Sequence, residues 1–478
     1  VSEALLDALV VGAGTAGIPT AVHAANRGAS VLLVEAAAQV GGTLHVSSGH
    51  MSATGTRLQA RRGIRDDAQA HIDDVMRISR GTAHPQLLRL AAAHAGDTID
   101  WLMDQGFEMA PECPVIAYSH EPYLVPRTYW GINKGLSILK VLERLLDKAL
   151  HDRLLEMRLQ TRLEALEPLP GGGWQAQLLT GDTRSTVRAR QVVLATGGYG
   201  GNAALFSEIT GGYPLLSPAP ACADGSGLRI ALQLGGRLQN RNVFLPTVAG
   251  VPAQAGGHWL DWERKSNLTP QHRPPWEIFV NLQGDRFVAE DDPSPDARER
   301  KLKQQPDLAF WVVFDQSVLE QAPPLFVQTP GEQMLARFGS HPAYQRADTP
   351  EALAQACGMD PARLANSIAR YNDGVAQGRD ALGRRHLPQR LDQGPFYAIR
   401  HQGVTLRCWA GLEVDASLRV LGPDGQALPG LHAIGEILGG AALSGDSFAS
   451  GMSVTPALTF GRLLGQSILT CHSERSAT

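Results

Sequence analysis

Three glycines and one acid carry the clearest chemistry in this chain. Gly12-Ala13-Gly14-Thr15-Ala16-Gly17 directly follows the short, mostly apolar run Asp7–Val11, and Glu35 closes a second apolar run 23 positions after Gly12. These types at this spacing suit the grip on a dinucleotide. Gly12 permits the tight turn, Gly14 offers bare backbone to a pyrophosphate, and Gly17 lets a helix pack closely on a strand. The helix start then points free N–H groups at the phosphates, and the Glu35 carboxylate can accept hydrogen bonds from ribose hydroxyls. A glycine turn alone is a weak signal. The strand before it, the helix Ile18–Asn26 after it and the acid beyond make this one specific. Further small-residue stretches are candidate backbone approaches to the same ligand: Gly41-Gly42-Thr43, Ser47 to Ser52, Ala195-Thr196-Gly197-Gly198, Asp224-Gly225-Ser226-Gly227, Gly435-Glu436 and the loop through Ser450 and Ser453.

The elements that must position these residues follow from periodicity. Residues 66–106 repeat apolar side chains at helical spacing, and Leu136–Leu150 is an amphipathic helix. Leu154–Leu163, Trp174–Leu179 and Val187–Ala195 read as strands, and Leu228–Leu234 as a helix opened by Asp224-Gly225. Pro111–Gly131 is irregular and rich in aromatic residues, His120, Tyr129 and Trp130 among them. From about Asn240 proline, tryptophan and charged residues rise, which marks a second domain to about Gly403; within it Ile278–Val288 reads as a hairpin and Asp296–Lys303 as a charged helix. A glycine-rich loop then opens a last helix, Thr455–Leu469, whose N-terminus suits an electron-rich ring edge.

With 478 residues and a formal net charge of −4, the chain has length for two or three domains and no excess of positive charge to attract nucleic acid. No apolar run reaches the roughly 20 residues a membrane span needs. The five cysteines are scattered, without CxxC pairs, so no local zinc, iron–sulfur or c-type haem signature is present. Together with a first strand that begins almost at once, this leads to the expectation of a cytoplasmic protein.

These stretches together resemble the flavoprotein of the fumarate reductase/succinate dehydrogenase family over nearly the whole chain. The resemblance rests on Val10–Gly17 with Glu35, Gly41-Gly42-Thr43, Ala195–Gly198, Gly284–Glu290, Pro429–Glu436 and Ser450–Thr455. It implies an α/β fold: a Rossmann-like FAD-binding domain (1–240 and 404–478) interrupted by a smaller α+β capping domain (241–403), with FAD as cofactor. Gly12, Gly14, Ala16, Gly17, Glu35, Gly41, Gly42, Thr43, Ser48, Gly49, Leu163, Ala195, Thr196, Gly197, Asp224, Gly435, Glu436, Ser450, Ser453 and Val454 would hold it. Thr43 stands where the succinate dehydrogenase branch attaches flavin to histidine, and His45 is two residues away, so non-covalent FAD is expected.

Departures from the fumarate pattern set the substrate expectation. Leu245-Pro246-Thr247 replaces a His-Pro-Thr, and Ala441–Met452 lacks the arginine that clamps a substrate carboxylate. Ser447–Gly451 is similar to the ketosteroid dehydrogenase branch, except that Phe448 replaces its tyrosine; Gly403–Arg407 is similar to tricarballylate dehydrogenase-like members, and Arg407 could bind a carboxylate. The resemblance implies Arg298 as proton-transfer arginine, with Arg300 as its substitute. Ser450 and Tyr129 become carbonyl donors or relay members, and His50 faces the ring. The first expectation is an α,β-desaturating dehydrogenase of a small or cyclic ketone or keto acid. The alternatives are an ene reductase of an unsaturated carboxylate and a non-catalytic flavin-binding redox module. Oxygen, a quinone or another protein would exchange the electrons, since a second dinucleotide fingerprint is missing.

Overall fold

The computed structural model describes residues 5–254, 256–326, 328–329 and 331–468. β1 (Leu5–Val11) is followed by the glycine turn, α1 (Gly17–Asn26) and β2 (Val31–Val34). Ala8–Val11 of β1 and the whole of β2 are buried runs of Val, Leu and Ala, because they lie in the middle of a parallel stretch of sheet covered on both faces. Gly28, with φ of 90°, takes the chain out of α1 where a side chain would be strained.

β1 pairs in parallel with β2 on one side and with the strand Thr183–Leu194 on the other. Beyond these, Glu156–Arg158 adds to β2, and Ala427–Ala433 adds to the end of Thr183–Leu194. The hairpin Thr161–Pro168/Trp174–Thr180 extends the first half of Thr183–Leu194 antiparallel, and Arg419–Leu421, antiparallel to Ala427–Ala433, completes an eight-stranded sheet. α1 and the last helix, Val454–Ser467, pack against one another and bury their apolar faces. A second core gathers around a four-stranded antiparallel sheet built from Ile278–Val280, Ala309–Asp315, Phe396–Gln402 and Tyr344–Ala347, in that order. We refer to these as the larger and the smaller unit.

Local readings differ from the structure in several places. The helical stretch 66–106 is two helices, Ala68–Ile78 and Pro85–Asp104, because Arg80 and Gly81 both take positive φ and Pro85 starts a new helix. Leu154–Leu163 divides into two strands at Gln160, whose φ is 49°. Ile278–Val288 is not a two-stranded hairpin: Ile278–Val280 pairs with Ala309–Asp315, and only a single bridge, Val280 to Arg286, closes the turn. The charged helix, Pro295–Lys303, buries Asp296, Arg298 and Glu299 instead of exposing them. Leu469, at the end of the last expected helix, and Cys471 lie outside the described residues. Among those residues no helix is long and apolar enough to cross a membrane, and no cluster of side chains suits a metal ion.

Candidate active site

A cavity of about 680 Å³ runs from the glycine turn to the face where the two units meet. Its walls test whether a flavin dinucleotide fits. Gly12 and Gly17 have no room for a side chain, since a Cβ would come to 2.3 Å from the Ala195 carbonyl oxygen and 1.8 Å from that of Gly12. At Gly14 and Gly197 a Cβ would meet nothing within 4 Å, and both residues line the cavity. Two glycines close the turn while two leave bare backbone to a ligand, the division of labour a pyrophosphate needs. Both oxygens of Glu35 hold the local backbone, accepting from Ala13 N and Ala37 N at 2.8 Å each. The helix Val454–Ser467 starts at the cavity wall with no side-chain cap; Thr455 N–H is taken by the Gly451 carbonyl and Pro456 has none, so Val454 N–H is the group left for an anion.

Ala16, Gly41, Gly42, Thr43, Ser48, Leu163, Ala195, Thr196, Gly435, Glu436, Ser450, Ser453, Val454 and His50 also line this cavity. Gly17, Gly49, Asp224, Tyr129 and Arg298 do not. Gly17 packs against Gly12, and Gly49 against Lys134 and Gly135. Asp224 caps Ser226 N at 2.9 Å and pairs with Arg162, which does line the wall. Tyr129 is fully buried, its hydroxyl 2.8 Å from Thr56 Oγ1. Arg298 is buried behind the wall and donates Nη1 to the carbonyl of Leu268, a wall residue, at 2.8 Å. Tyr129 as carbonyl donor is therefore corrected to a core hydrogen bond.

The end of the cavity shared by both units is formed by His120, Thr247, Leu268, Thr405, Arg407 and Phe448. Here aromatic planes order the side chains. His120 stacks on Phe448 at 3.7 Å, and the Arg407 guanidinium lies 4.1 Å from the Phe448 ring and 4.4 Å from that of Trp409. Burial holds both His50 and His120 neutral, His50 at about 4 and His120 well below the ordinary histidine value. Neither ring offers an imidazolium at neutral pH.

Arg407 is only 5% exposed and makes no salt bridge among the described residues. Its Nη1 donates to Ser444 Oγ at 3.1 Å and its Nη2 to the Ser447 carbonyl at 3.0 Å, while Nε has no partner. Burial lowers it to about 10, which still leaves it a cation. The hydroxyls of Thr405 and Ser450 also lack partners. Gly440 makes room for the guanidinium, because a Cβ there would stand 2.5 Å from Nε. Behind the wall, burial raises Asp296 to about 6 and Glu299 well above the usual carboxylate range. The sequence signals for this end were faint: His120 sat in an irregular segment, and Arg407 in a short match to one branch. At the mouth, Lys134 of the larger unit meets Glu263 of the smaller at 2.8 Å, and Gln328 donates to the same carboxylate at 2.8 Å.

A dinucleotide cradle joined to a buried, partly unsatisfied polar chamber defines a flavoprotein oxidoreductase. The chain belongs to the FAD binding domain family, whose profile matches residues 7–446. It is an FAD-dependent oxidoreductase acting on CH–CH or C=C bonds. A probable fumarate reductase, Ifc3, of Shewanella frigidimarina (strain NCIMB 400) is 27% identical over 465 residues, covering 96% of this chain and 74% of that protein. The open conformation of a flavocytochrome c3 fumarate reductase superposes with a TM-score of 0.74 at 26% identity, covering 98% of this chain and 78% of the other. A 3-ketosteroid delta1-dehydrogenase from Sterolibacterium denitrificans shares the fold, with a TM-score of 0.77 at 20% identity, covering 98% of this chain and all of the other.

Proposed function

We propose that the enzyme reduces a C=C bond conjugated to a carboxylate. One observation carries this reading: the Arg407 guanidinium is buried on the cavity wall with no carboxylate of the described residues within ion-pair distance, Asp296 and Glu436 acting on it only from farther off. An unpaired buried cation costs several kcal/mol, and an anionic substrate offsets that cost. The flat pair Phe448 and His120 supplies a surface for the conjugated part of the molecule. The similarity to fumarate reductases supports the same direction. The ketone-desaturating alternative has less support, since Phe448 offers no hydroxyl and that of Tyr129, paired with Thr56 Oγ1, lies off the cavity wall.

FAD, held non-covalently in the cradle, supplies the hydride when bound. Non-covalent attachment fits the position of His45, whose Nε2 is occupied by the Val40 carbonyl at 2.9 Å. The protein's own groups do the rest. Arg407 and Thr405 orient the carboxylate and hold negative charge as it develops on the carboxylate side of the double bond. The apolar wall around Leu268 and Phe448 excludes water. The carbon next to the carboxylate then needs a proton. The buried row Asp296, Arg298 and Glu299 stores protons directly behind Leu268 and Thr247, and we assign delivery to this row, with Arg298 as the member in contact with the wall. Reduced holoenzyme mixed anaerobically with acrylate, cinnamate and fumarate, and with the methyl esters of each, tests the reading. Reoxidation of the flavin by acids and not by esters is expected; equal response to both would refute the carboxylate assignment.

A further inference from the structure

Besides the walls they share, the carboxylate site and the smaller unit are tied together by a short loop, Ser444–Phe448. Arg407 holds it from within the larger unit, through the Ser444 hydroxyl and the Ser447 carbonyl. Arg300, on the helix Pro295–Lys303 of the smaller unit, holds it from the other side. Its Nη2 donates to Ser447 Oγ at 3.0 Å and to the Asp446 carbonyl at 3.1 Å, and its Nη1 lies 3.4 Å from Asp446 Oδ2. Asp446 is shared with Arg80 of the larger unit, and its N–H donates to Thr82 Oγ1 at 3.0 Å. Ser447 thus turns its hydroxyl to one arginine and its carbonyl to the other. The next residue, Phe448, is the ring that lies against Arg407.

We propose that Arg300 is a positioning residue, which through Ser447 fixes the guanidinium of Arg407, so that seating of the smaller unit and binding of a carboxylate reinforce each other. Arg300 itself does not line the cavity and touches no reacting atom. An exposed ion pair with Asp446 alone would have little consequence. Here the same guanidinium also engages the backbone and hydroxyl of the loop that supports the binding cation. Coupling of this kind is reciprocal: whatever loosens the smaller unit weakens carboxylate binding by the factor by which the carboxylate tightens the unit. The proposal rests on the carboxylate reading given above, and its test separates the two.

FAD-loaded wild type, Arg300→Ala, Arg300→Lys, Arg407→Ala and the double alanine variant are titrated with acrylate and with uncharged acrylamide, followed by flavin absorbance. Amide hydrogen exchange across residues 444–450 is measured in parallel. Arg300→Ala is expected to weaken acrylate about tenfold, leave acrylamide unchanged and speed exchange in the loop, with partial recovery in Arg300→Lys. Without Arg407, loss of Arg300 should change acrylate affinity by less than about twofold, because the two act through one path. Additive losses in the double variant, or unchanged affinity and exchange in Arg300→Ala, overturn the proposal. If wild type fails to prefer acrylate over acrylamide, the carboxylate reading falls by itself, and loop exchange still decides whether Arg300 holds Ser447.

Discussion

Two sets of buried arginines differ in one respect. In the smaller unit, Arg286 and Arg384 converge on Glu290, and Arg286 also binds Asp380. All four are at most 6% exposed, and the charges are matched inside the set. Arg273 and Glu277 repeat the arrangement as a two-pronged pair. Arg407 is equally buried but holds no carboxylate, only the Ser444 and Ser453 hydroxyls and the Ser447 carbonyl, with Nε unpaired. The first set is complete without a ligand. Arg407 is not, and because it also lines the cavity, as the similarly unpaired Arg298 does not, that incompleteness marks it as the binding group.

The largest expected effect falls on the complete set. Glu290→Ala leaves two buried guanidinium groups short of a partner and should cost about 3–5 kcal/mol in urea unfolding of the FAD-loaded protein. Arg407→Met should do the reverse. Stability stays level or rises, while kcat/KM for the carboxylate substrate falls by a factor corresponding to about 2–5 kcal/mol. Equal destabilisation by the two variants would erase the contrast. Gly440→Ala sharpens it, because the added methyl must displace the Arg407 guanidinium; KM should rise about tenfold, with kcat less affected.

Asp296 gives a smaller, pH-dependent effect. Its folded pKa is raised from 3.8 to about 6 by burial, so between these values the unfolded chain releases a proton that the folded protein keeps. Stability therefore falls as pH rises through this window, by on the order of 1 kcal/mol or more. Asp296→Asn should flatten the slope when unfolding is compared at pH 4.5 and 7. Least affected should be Tyr129→Phe, which removes one core hydrogen bond for about 1 kcal/mol and leaves turnover within about twofold. A large loss of kcat there would restore Tyr129 as a donor to substrate.

The cofactor cradle was legible because its parts are contiguous. Strand, turn, helix, strand and acid follow one another within Leu5–Glu35, and each glycine has a local steric reason. The substrate end was not, since it is assembled over long distances. Arg407 needs the bare Cα of Gly440 and the rings of Trp409 and Phe448; His120 finds Phe448 from a segment without periodicity. Tyr129 and Arg298 sit elsewhere than the sequence suggested, in complementary ways. An aromatic residue in an irregular loop turned out to belong to the core, and an arginine in a charged helix turned out to be buried one layer behind the wall. Charge density in the sequence could not reveal which side of Pro295–Lys303 faces inward.

The contact between Lys134 and Glu263 at the mouth has a kinetic meaning. Both side chains are about half exposed, so the pair contributes less than about 1 kcal/mol and weakens as ionic strength rises. A fastening so slight cannot retain a small molecule by itself. Whatever holds a ligand must therefore lie deeper in, among the partners around Arg407.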